Sequence, residues 1–344
     1  MIGTHFDSLR AIGLTSYIAQ QLLMLEIANE NSIAARVIEV HRDQVMLHNG
    51  ITPFRARVLP SLNVNLAVGD WVLAETTNGE CWVSNYMDPL MQIARRNTDG
   101  NRQILVSNVD TALLVMGLDN DFNLRRLERY LAIVQAAQVQ PLIVLTKADI
   151  AENLDEKIEQ LTQRLPHHLP RFIVNALAPE TAIELAPWLT PGQTLVMLGS
   201  SGAGKSTLTN TLTSSQQETG GVREGDSRGR HTTTARSLHQ SIGGACIIDT
   251  PGLRTWSPDI DEESLGFSFD DIQRLAMDCR FRDCQHQSEP GCAVRDNVDA
   301  DRLQNYHKLL REVRRNHQTA LDKINERAKW KILHKAMRVK EKHK

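Results

Sequence analysis

The residues best suited to chemistry in this sequence form a loop rich in glycine and serine. In order, they are Gly199, Ser200, Ser201, Gly202, Ala203, Gly204, Lys205, Ser206 and Thr207. Two glycines separated by four residues and followed by Lys and Ser are typical of a loop whose backbone N–H groups bind a polyphosphate. We expect Lys205 to contact the outer phosphates and Ser206 to bind Mg²⁺. A strand-like run at 193–198 and a helical pattern at 205–212 favour this interpretation over a chance match in a surface loop.

A second polar motif follows the apolar run 245–248 and consists of Asp249, Thr250, Pro251 and Gly252. An Asp at the end of a buried strand can hold the Mg²⁺ shell through water, and the N–H of Gly252 can contact the terminal phosphate. The motif alone is only moderately specific. Its place about fifty residues after the start of the phosphate loop makes it a strong companion of that loop.

A third motif follows the apolar run 142–145 and consists of Thr146, Lys147, Ala148 and Asp149. A carboxylate at position 149 can accept hydrogen bonds from both the ring N–H and the exocyclic amine of guanine. Adenine offers no matching pair of donors, so the motif predicts guanine specificity and disfavours a kinase or ATPase. Lys147 would lie along the base. A plain loop at a strand end is the alternative.

The stretch 225–234 is polar and glycine-rich, and it lies between the phosphate loop and Asp249. One of its threonines should bind Mg²⁺ in the GTP state, and we favour Thr233. Many GTPases have a water-orienting glutamine where this chain has Leu253, which cannot orient water. His231 can hydrogen-bond and titrates near neutral pH, so it is a candidate catalytic residue; a solvated loop histidine is the alternative.

Three cysteines and one histidine lie within fourteen residues: Cys279, Cys284, His286 and Cys292. Three thiolates and one imidazole complete the tetrahedral shell of Zn²⁺ and leave no open position for catalysis. We therefore predict one structural zinc ion, and the alternative is a chance cluster of reduced cysteines. Cys81 and Cys246 stand in strand-like runs and are expected in the core.

The elements that position these motifs begin with a β-rich stretch at 32–88. It contains five short β-prone runs, at 34–40, 44–47, 54–59, 71–75 and 81–83. This spacing suits a small closed barrel, and an OB-type barrel is the common choice. Such barrels often bind nucleic acid, and four of its residues could contact phosphates: Arg36, Arg42, Arg55 and Arg57. Ordinary solvated arginines are an equally weighted alternative. An apolar, helix-compatible stretch precedes the barrel.

From about residue 102 predicted strands and helices alternate, which indicates a mostly parallel sheet with helices on both faces. Asn123 is a candidate N-cap for a helix whose apolar face includes Leu127 and Leu131. Nucleotides bind at the carboxyl ends of such strands, where all three nucleotide motifs stand. The guanine motif precedes the phosphate loop, the reverse of the usual order, so the domain looks like a circularly permuted GTPase.

Composition bounds the class of protein. The 344 residues suffice for two or three domains, with no apolar run of membrane-spanning length and no signal-peptide pattern. Five cysteines, three of them clustered, indicate reduced thiols and hence the cytoplasm. The net charge of −2 conceals a tail, residues 301–344, that carries +9 on a body of −11. A basic tail indicates a polyanionic partner, with a solvated basic helix as the alternative.

Taken together, the motifs resemble the ribosome small-subunit-dependent GTPase A family across most of the chain. The resemblance is carried by the barrel, the permuted motif order, the zinc spacing and the run 230–234. It implies a factor in late maturation of the small ribosomal subunit, whose GTPase that subunit stimulates, with rRNA contacts by barrel and zinc domain. The family's proposed catalytic histidine falls on His231, and its zinc ligands fall on the four residues named. Thr146 stands where the guanine-specificity motif of GTPases, Asn-Lys-x-Asp, usually has Asn.

The predicted fold is multidomain α/β. Its parts are a helical extension (1–31), an OB-type β-barrel (32–92), a circularly permuted P-loop GTPase domain (102–258) and a zinc-binding helical domain with a basic tail (259–344). The predicted function is hydrolysis of GTP to GDP and phosphate, with Mg²⁺, by a monomer that binds the small subunit and its rRNA and no membrane. An RNA-binding scaffold that barely hydrolyses its nucleotide is the alternative, which Leu253 keeps open.

Overall fold

The computed structural model describes residues 6–26, 32–96, 101–213, 236–251 and 257–317. The chain forms two compact units, divided after Ser257. Across these described ranges, no helix combines the length and the apolar character needed to cross a membrane.

Five strands form the N-terminal barrel: β1 (Ser32–Val40), β2 (Val45–His48), β3 (Pro53–Val58), β4 (Trp71–Thr77) and β5 (Glu80–Tyr86). Their order is β1-β2-β3-β5-β4, and pairing of β1 with β4 closes the barrel. Of these pairs, β3–β5 runs parallel and the others antiparallel. Apolar side chains fill the interior, among them Val37, Leu47, Val72 and Val83. The five-stranded barrel expected from the sequence is confirmed.

Two helices, α1 (Phe6–Ala11) and α2 (Ser16–Glu26), precede the barrel. Their buried side chains Leu9, Ile18 and Leu22 share one apolar cluster with Trp71 of the barrel and Cys246. Because burial of such side chains is the main favourable term in folding, these helices are part of the core of the first unit.

Arg36 on β1 corrects the sequence interpretation, since it is 0 % exposed and cannot contact an external phosphate. Its guanidinium donates hydrogen bonds to the carbonyl oxygens of Ile12, Gly69 and Asn108 and to Thr194 Oγ1. A buried charge is tolerated only when its donors are satisfied, as they are here. Arg42, Arg55 and Arg57 are exposed, as expected.

The nucleotide part of the first unit is built on six strands: β8 (Thr111–Gly117), β9 (Gln140–Thr146), β10 (Arg171–Ile173), β11 (Thr194–Leu198), β12 (Ser237–Gln240) and β13 (Cys246–Asp249). Their order is β10-β9-β8-β11-β13-β12, with β12 antiparallel to β13 and the other pairs parallel. The predicted mostly parallel sheet is confirmed. A hairpin, β6 (Gln92–Arg96) and β7 (Arg102–Ser107), connects the barrel to it.

Four helices belong to this sheet: α3 (Leu124–Ala136), α4 (Leu154–Arg164), α5 (Glu180–Glu184) and α6 (Lys205–Leu212). Asn123 caps α3 as predicted, because its side chain accepts the backbone N–H of Arg126. The apolar face of α3, including Leu127 and Leu131, is buried.

The division between the units falls within a two-residue strand, β14 (Ser257–Pro258). The second unit contains four helices in the described residues: α7 (Glu262–Ser268), α8 (Asp270–Ala276), α9 (Ala293–Asn297) and α10 (Ala300–His317). Buried Phe269 and Tyr306 pack with ring centroids 5.4 Å apart. Arg302 lies over Phe269 and forms an ion pair of 2.7 Å with Asp271. The helix predicted after Asp299 is confirmed as far as His317, and the remaining basic tail lies outside the described residues.

Candidate nucleotide site and metal centre

The nucleotide motifs meet at one edge of the parallel sheet. Strands β8, β9, β11 and β13 end at Gly117, Thr146, Leu198 and Asp249, and their parallel direction brings these ends to the same edge. Strand β8 lies between β9 and β11. The guanine motif and the phosphate loop therefore flank one central strand, at the edge where open α/β sheets bind ligands.

The glycines of the phosphate loop are required by its backbone. Gly202 and Gly204 have φ values of 82° and 93°, in the region that favours glycine. A Cβ on Gly199 would lie 2.4 Å from the carbonyl oxygen of Val115 on β8. The loop can therefore pass this close to the sheet and still turn into α6 only with glycine at these positions.

Lys205 begins α6 and is only 6 % exposed. Its Nζ donates hydrogen bonds to the carbonyl oxygens of Gly199 (3.1 Å) and Ser200 (2.7 Å). Burial lowers the pKa of Lys205 to about 8, although the nearby charges of Asp249 and Asp121 raise it. The ammonium group is thus held inside the phosphate loop, and an arriving polyphosphate would favour its charged form.

Thr146 stands at the usual Asn position and is completely buried. Its hydroxyl donates a 2.6 Å hydrogen bond to the carbonyl oxygen of Ala203 in the phosphate loop. The carbonyl oxygen of Val174, the residue after β10, accepts a hydrogen bond from the N–H of Ala148. Asp149 follows in a short 3₁₀ helix, Ala148–Ile150, and is exposed. Thr146 therefore links the two nucleotide motifs directly.

Two carboxylates outside the three sequence motifs join this site. They lie in the loop between β8 and α3, which we call the acidic loop (residues 118–122). Asp119 forms a 2.7 Å ion pair with Lys147, and Asp121 accepts a 2.6 Å hydrogen bond from Ser200 Oγ. The available signal was two acids directly after a buried strand of the same sheet edge.

Of the other residues predicted to bind the nucleotide or Mg²⁺ or to act in catalysis, some lie in the described part of the chain and others outside it. Asp249 is buried at the end of β13, and the hydroxyl of Thr250 donates to the carbonyl oxygen of Met197 on β11. Gly252, His231 and Thr233 lie outside the described residues, so their predicted roles stay predictions. Ser206 is in the first turn of α6, where the helix N-terminus favours anions.

The four predicted zinc ligands lie together in the second unit. The ligand atoms of Cys279, Cys284, His286 and Cys292 are all within 4.8 Å of one another. His286 Nδ1 is 3.6 Å from Cys279 Sγ and 3.4 Å from Cys292 Sγ, and those two sulfurs are 4.0 Å apart. Tetrahedral Zn²⁺ places its thiolates about 3.8 Å apart, so the donor set fits zinc.

Hydrogen bonds around the cluster support its shape. Burial raises the pKa of the Cys279 thiol, but N–H groups of Val294 and Ala293 outweigh this and lower it, which favours the thiolate. His286 has φ of 58°, and the carboxylate of Glu289 accepts the N–H groups of Gln285 and Gln287 on either side of it. The cluster can thus hold one metal ion in a closed shell.

Known proteins are similar to this chain over most of its length. A family model described as "RsgA GTPase" matches residues 89–258, and one described as "50S ribosome-binding GTPase" matches residues 194–323. "Small ribosomal subunit biogenesis GTPase RsgA 2" of Vibrio vulnificus (strain CMCP6) is 41% identical over 326 residues, which is 92% of this chain and 91% of the relative. "Small ribosomal subunit biogenesis GTPase RsgA" of Xanthomonas oryzae pv. oryzae (strain MAFF 311018) is 43% identical over 303 residues, covering 83% and 82%.

Two solved structures share the fold. The circularly permuted GTPase YloQ matches with a TM-score of 0.59 and 22% identity, over 85% of this chain and 98% of that one. YjeQ from Thermotoga maritima matches with a TM-score of 0.58 and 23% identity, over 82% and 98%. The circularly permuted arrangement expected from the motif order is confirmed.

Proposed function

The chain belongs to the RsgA GTPase family, and we propose that this GTP hydrolase of small-subunit biogenesis acts late in maturation and is stimulated by the small ribosomal subunit itself. The names of the curated relatives support the small ribosomal subunit as the partner. The observation that carries the activity is the 2.6 Å bond from Thr146 to Ala203, because it joins the guanine motif to the phosphate loop. One guanine nucleotide can then contact both.

In this proposal the base and the phosphates are bound by separate groups. The carboxylate of Asp149 accepts the two N–H donors of guanine, and the stem of Lys147 lies along the base. Lys205 and the loop N–H groups bind the phosphates, with Gly252 at the terminal one. Mg²⁺, held by the hydroxyls of Ser206 and Thr233 and through water by Asp249, would neutralise phosphate charge.

Hydrolysis needs a water molecule aligned with the terminal phosphorus. The attacking oxygen bonds to that phosphorus as the bond to the bridging oxygen breaks, which releases GDP and inorganic phosphate. Leu253 has no group that can orient the water. We therefore assign His231 to this role, with its imidazole hydrogen-bonded to the attacking water.

The other parts of the chain would bind the ribosome. Exposed Arg42, Arg55 and Arg57 on the barrel are suited to rRNA phosphates, and the cysteine and histidine cluster would hold a structural zinc ion in the second unit. We propose domain bounds of 1–31, 32–92, 102–258 and 259–344, which the barrel strands and the division after Ser257 support. We further propose that the protein acts as a monomer in the cytoplasm, where ribosomes are assembled.

The test is GTP turnover by the full chain, alone, with purified small subunits and with large subunits. We expect small subunits to raise turnover about a hundredfold or more, where partner proteins raise the turnover of other GTPases by about 10³- to 10⁵-fold. Large subunits should not do so, and Lys205→Ala should abolish the stimulation. Equal turnover with and without small subunits would overturn the proposal and favour the nucleotide-binding scaffold.

A further inference from the structure

The acidic loop, residues 118–122, contacts both nucleotide motifs. Asp119 Oδ2 lies 2.7 Å from Lys147 Nζ in the guanine motif. Two residues later, Asp121 Oδ1 accepts a 2.6 Å hydrogen bond from Ser200 Oγ in the phosphate loop. One short loop therefore reaches the base end and the phosphate end of the same site.

The acidic loop is itself firmly anchored. The N–H of Leu118 donates to the carbonyl oxygen of Thr146, and Lys157 Nζ donates to the carbonyl oxygen of Leu118 at 2.7 Å. Lys157 also lies 5.9 Å from the ring centroid of Phe122. Because these bonds connect the loop to β9 and α4, its two carboxylates have fixed positions.

Asp119 is placed to orient the lysine of the guanine motif. The backbone of Lys147 lies in the left-handed region, with φ of 61°, a conformation that costs energy for a residue with a side chain. Burial raises the pKa of Asp119, but the hydrogen bond and charge of Lys147 outweigh it and lower the pKa. Both partners are about four-fifths buried, with side-chain exposures of 17% and 20%, so this ion pair is shielded from solvent.

Asp121 is placed to hold the phosphate loop. It is 8 % exposed and forms a 2.6 Å ion pair with Arg126, while its second oxygen accepts the N–H of Gly117. Three different groups therefore fix this carboxylate, and the bond it accepts from Ser200 is charge-assisted. The hydroxyl of Ser200 fixes the loop at the residue whose carbonyl oxygen binds Lys205.

We propose that Asp119 and Asp121 are positioning residues that hold the two ends of the guanine-nucleotide site in register, Asp119 through Lys147 and Asp121 through Ser200. The proposal rests on the nucleotide site described above. In this proposal the two carboxylates act through Lys147 and Ser200 and not by binding the nucleotide themselves. Their contribution is to preorganise the groups that bind it, so that binding costs less ordering of side chains.

The experiment measures binding of a fluorescent GDP analogue to the full chain and to Asp119→Asn and Asp121→Asn. Each substitution keeps the shape of the side chain and removes its charge. We expect each to weaken binding roughly tenfold, the effect of losing one charge-assisted hydrogen bond. For GTP hydrolysis KM should rise while kcat stays within about threefold, since positioning acts on binding. Asp155 is an exposed carboxylate on α4, so Asp155→Asn is the matched control and should bind the GDP analogue as the natural chain does.

Pairwise coupling separates positioning from a general structural role. Asp119→Asn should weaken binding little further when Lys147→Ala is already present, and Asp121→Asn should behave likewise with Ser200→Ala. The crossed combinations should be additive. A merely destabilising substitution would be additive with both partners. Thermal melting checks that each variant is folded, and if Asp121→Asn does not fold, the Ser200→Ala and Asp119→Asn arms decide.

The outcomes are distinguishable from failure of the proposed function. If the natural chain binds no guanine nucleotide, the proposed function is wrong. If it binds GDP and folded Asp119→Asn and Asp121→Asn variants bind it within twofold, the positioning role is wrong while the function stands. Additivity within the matched pairs would also overturn the positioning role.

Discussion

At the scale of single residues, the nucleotide site depends on groups buried beside one another. Lys205 is an amine held inside a loop by two carbonyl oxygens, with its pKa lowered to about 8 by burial. Thr146 uses a hydroxyl group to connect two motifs that lie far apart in the chain. In both cases a short hydrogen bond to a backbone carbonyl fixes the geometry, so small changes at these atoms should alter nucleotide affinity.

The pKa of Lys205 predicts how nucleotide affinity varies with pH. The folded value of about 8 lies below the ordinary value, so the free protein loses this charge as pH rises through 8. Bound phosphates favour the charged amine, so binding above pH 8 requires proton uptake. GDP affinity should therefore fall between pH 7.5 and pH 9, approaching a tenfold loss per pH unit at the upper end.

The control for this prediction is Lys205→Arg, whose guanidinium stays charged throughout the range. Its affinity, whatever its absolute level, should be nearly independent of pH. The measurement is a series of GDP titrations at constant ionic strength. Equal pH profiles for the natural chain and the variant would show that Lys205 does not titrate here.

At the scale of elements, each unit has a set of polar side-chain contacts that joins neighbouring segments of the chain. Arg36 connects helix α1's end, the barrel and β11 through Ile12, Gly69 and Thr194. In the second unit, three cysteines and His286 gather their ligand atoms within 4.8 Å of one another in the segment between α8 and α9. Each cluster replaces water around polar groups, which makes its loss costly.

Arg36→Met should destabilise the first unit strongly. The substitution keeps the apolar volume but leaves the carbonyl oxygens of Ile12 and Asn108 buried without this donor. We expect the free energy of unfolding to fall by roughly 3 kcal/mol or more in urea titrations. Arg42→Met, at an exposed position of the same barrel, should change it by less than about 0.5 kcal/mol. Equal stability of the two variants would contradict the structural role of Arg36.

Removal of the metal should affect the second unit alone. Cys284→Ser, or a strong chelator, should reduce bound zinc from one ion per chain and lower that unit's melting temperature by about 10 °C or more. GDP affinity should persist, because the residues of the candidate nucleotide site lie in the first unit. Elemental analysis and calorimetry measure both effects. The control variant Cys81→Ser, which changes a cysteine of the barrel, should keep one zinc ion per chain. Loss of zinc from that variant would contradict the assigned ligand set.

At the scale of the whole molecule, the sequence predicted what depends on spacing and strand direction. The phosphate loop, the guanine motif and Asp249 each follow an apolar run, and parallel strands bring such ends to one edge. The predicted zinc ligands are close in the chain, so their spacing alone predicted their cluster. The permuted order was legible because the motifs themselves are specific.

What the sequence could not show depends on neighbours distant in the chain. Arg36 resembled a solvated barrel arginine because nothing in its own strand shows that the chain around Ile12 covers it. Asp119 and Asp121 belong to no spacing pattern. They reach the site because β8 lies between β9 and β11, and strand order is not written in local sequence.

The central claim is that this sheet edge binds a guanine nucleotide whose hydrolysis the small subunit stimulates. Asp149→Asn tests it most directly, because an amide can pair with xanthine but no longer with both donors of guanine. Small-subunit-stimulated turnover by this variant should fall about a hundredfold or more with GTP at low concentration and be restored with xanthosine triphosphate. The natural chain should show the opposite preference. If Asp149→Asn still hydrolyses GTP as the natural chain does, Asp149 does not bind the base and the claim is wrong.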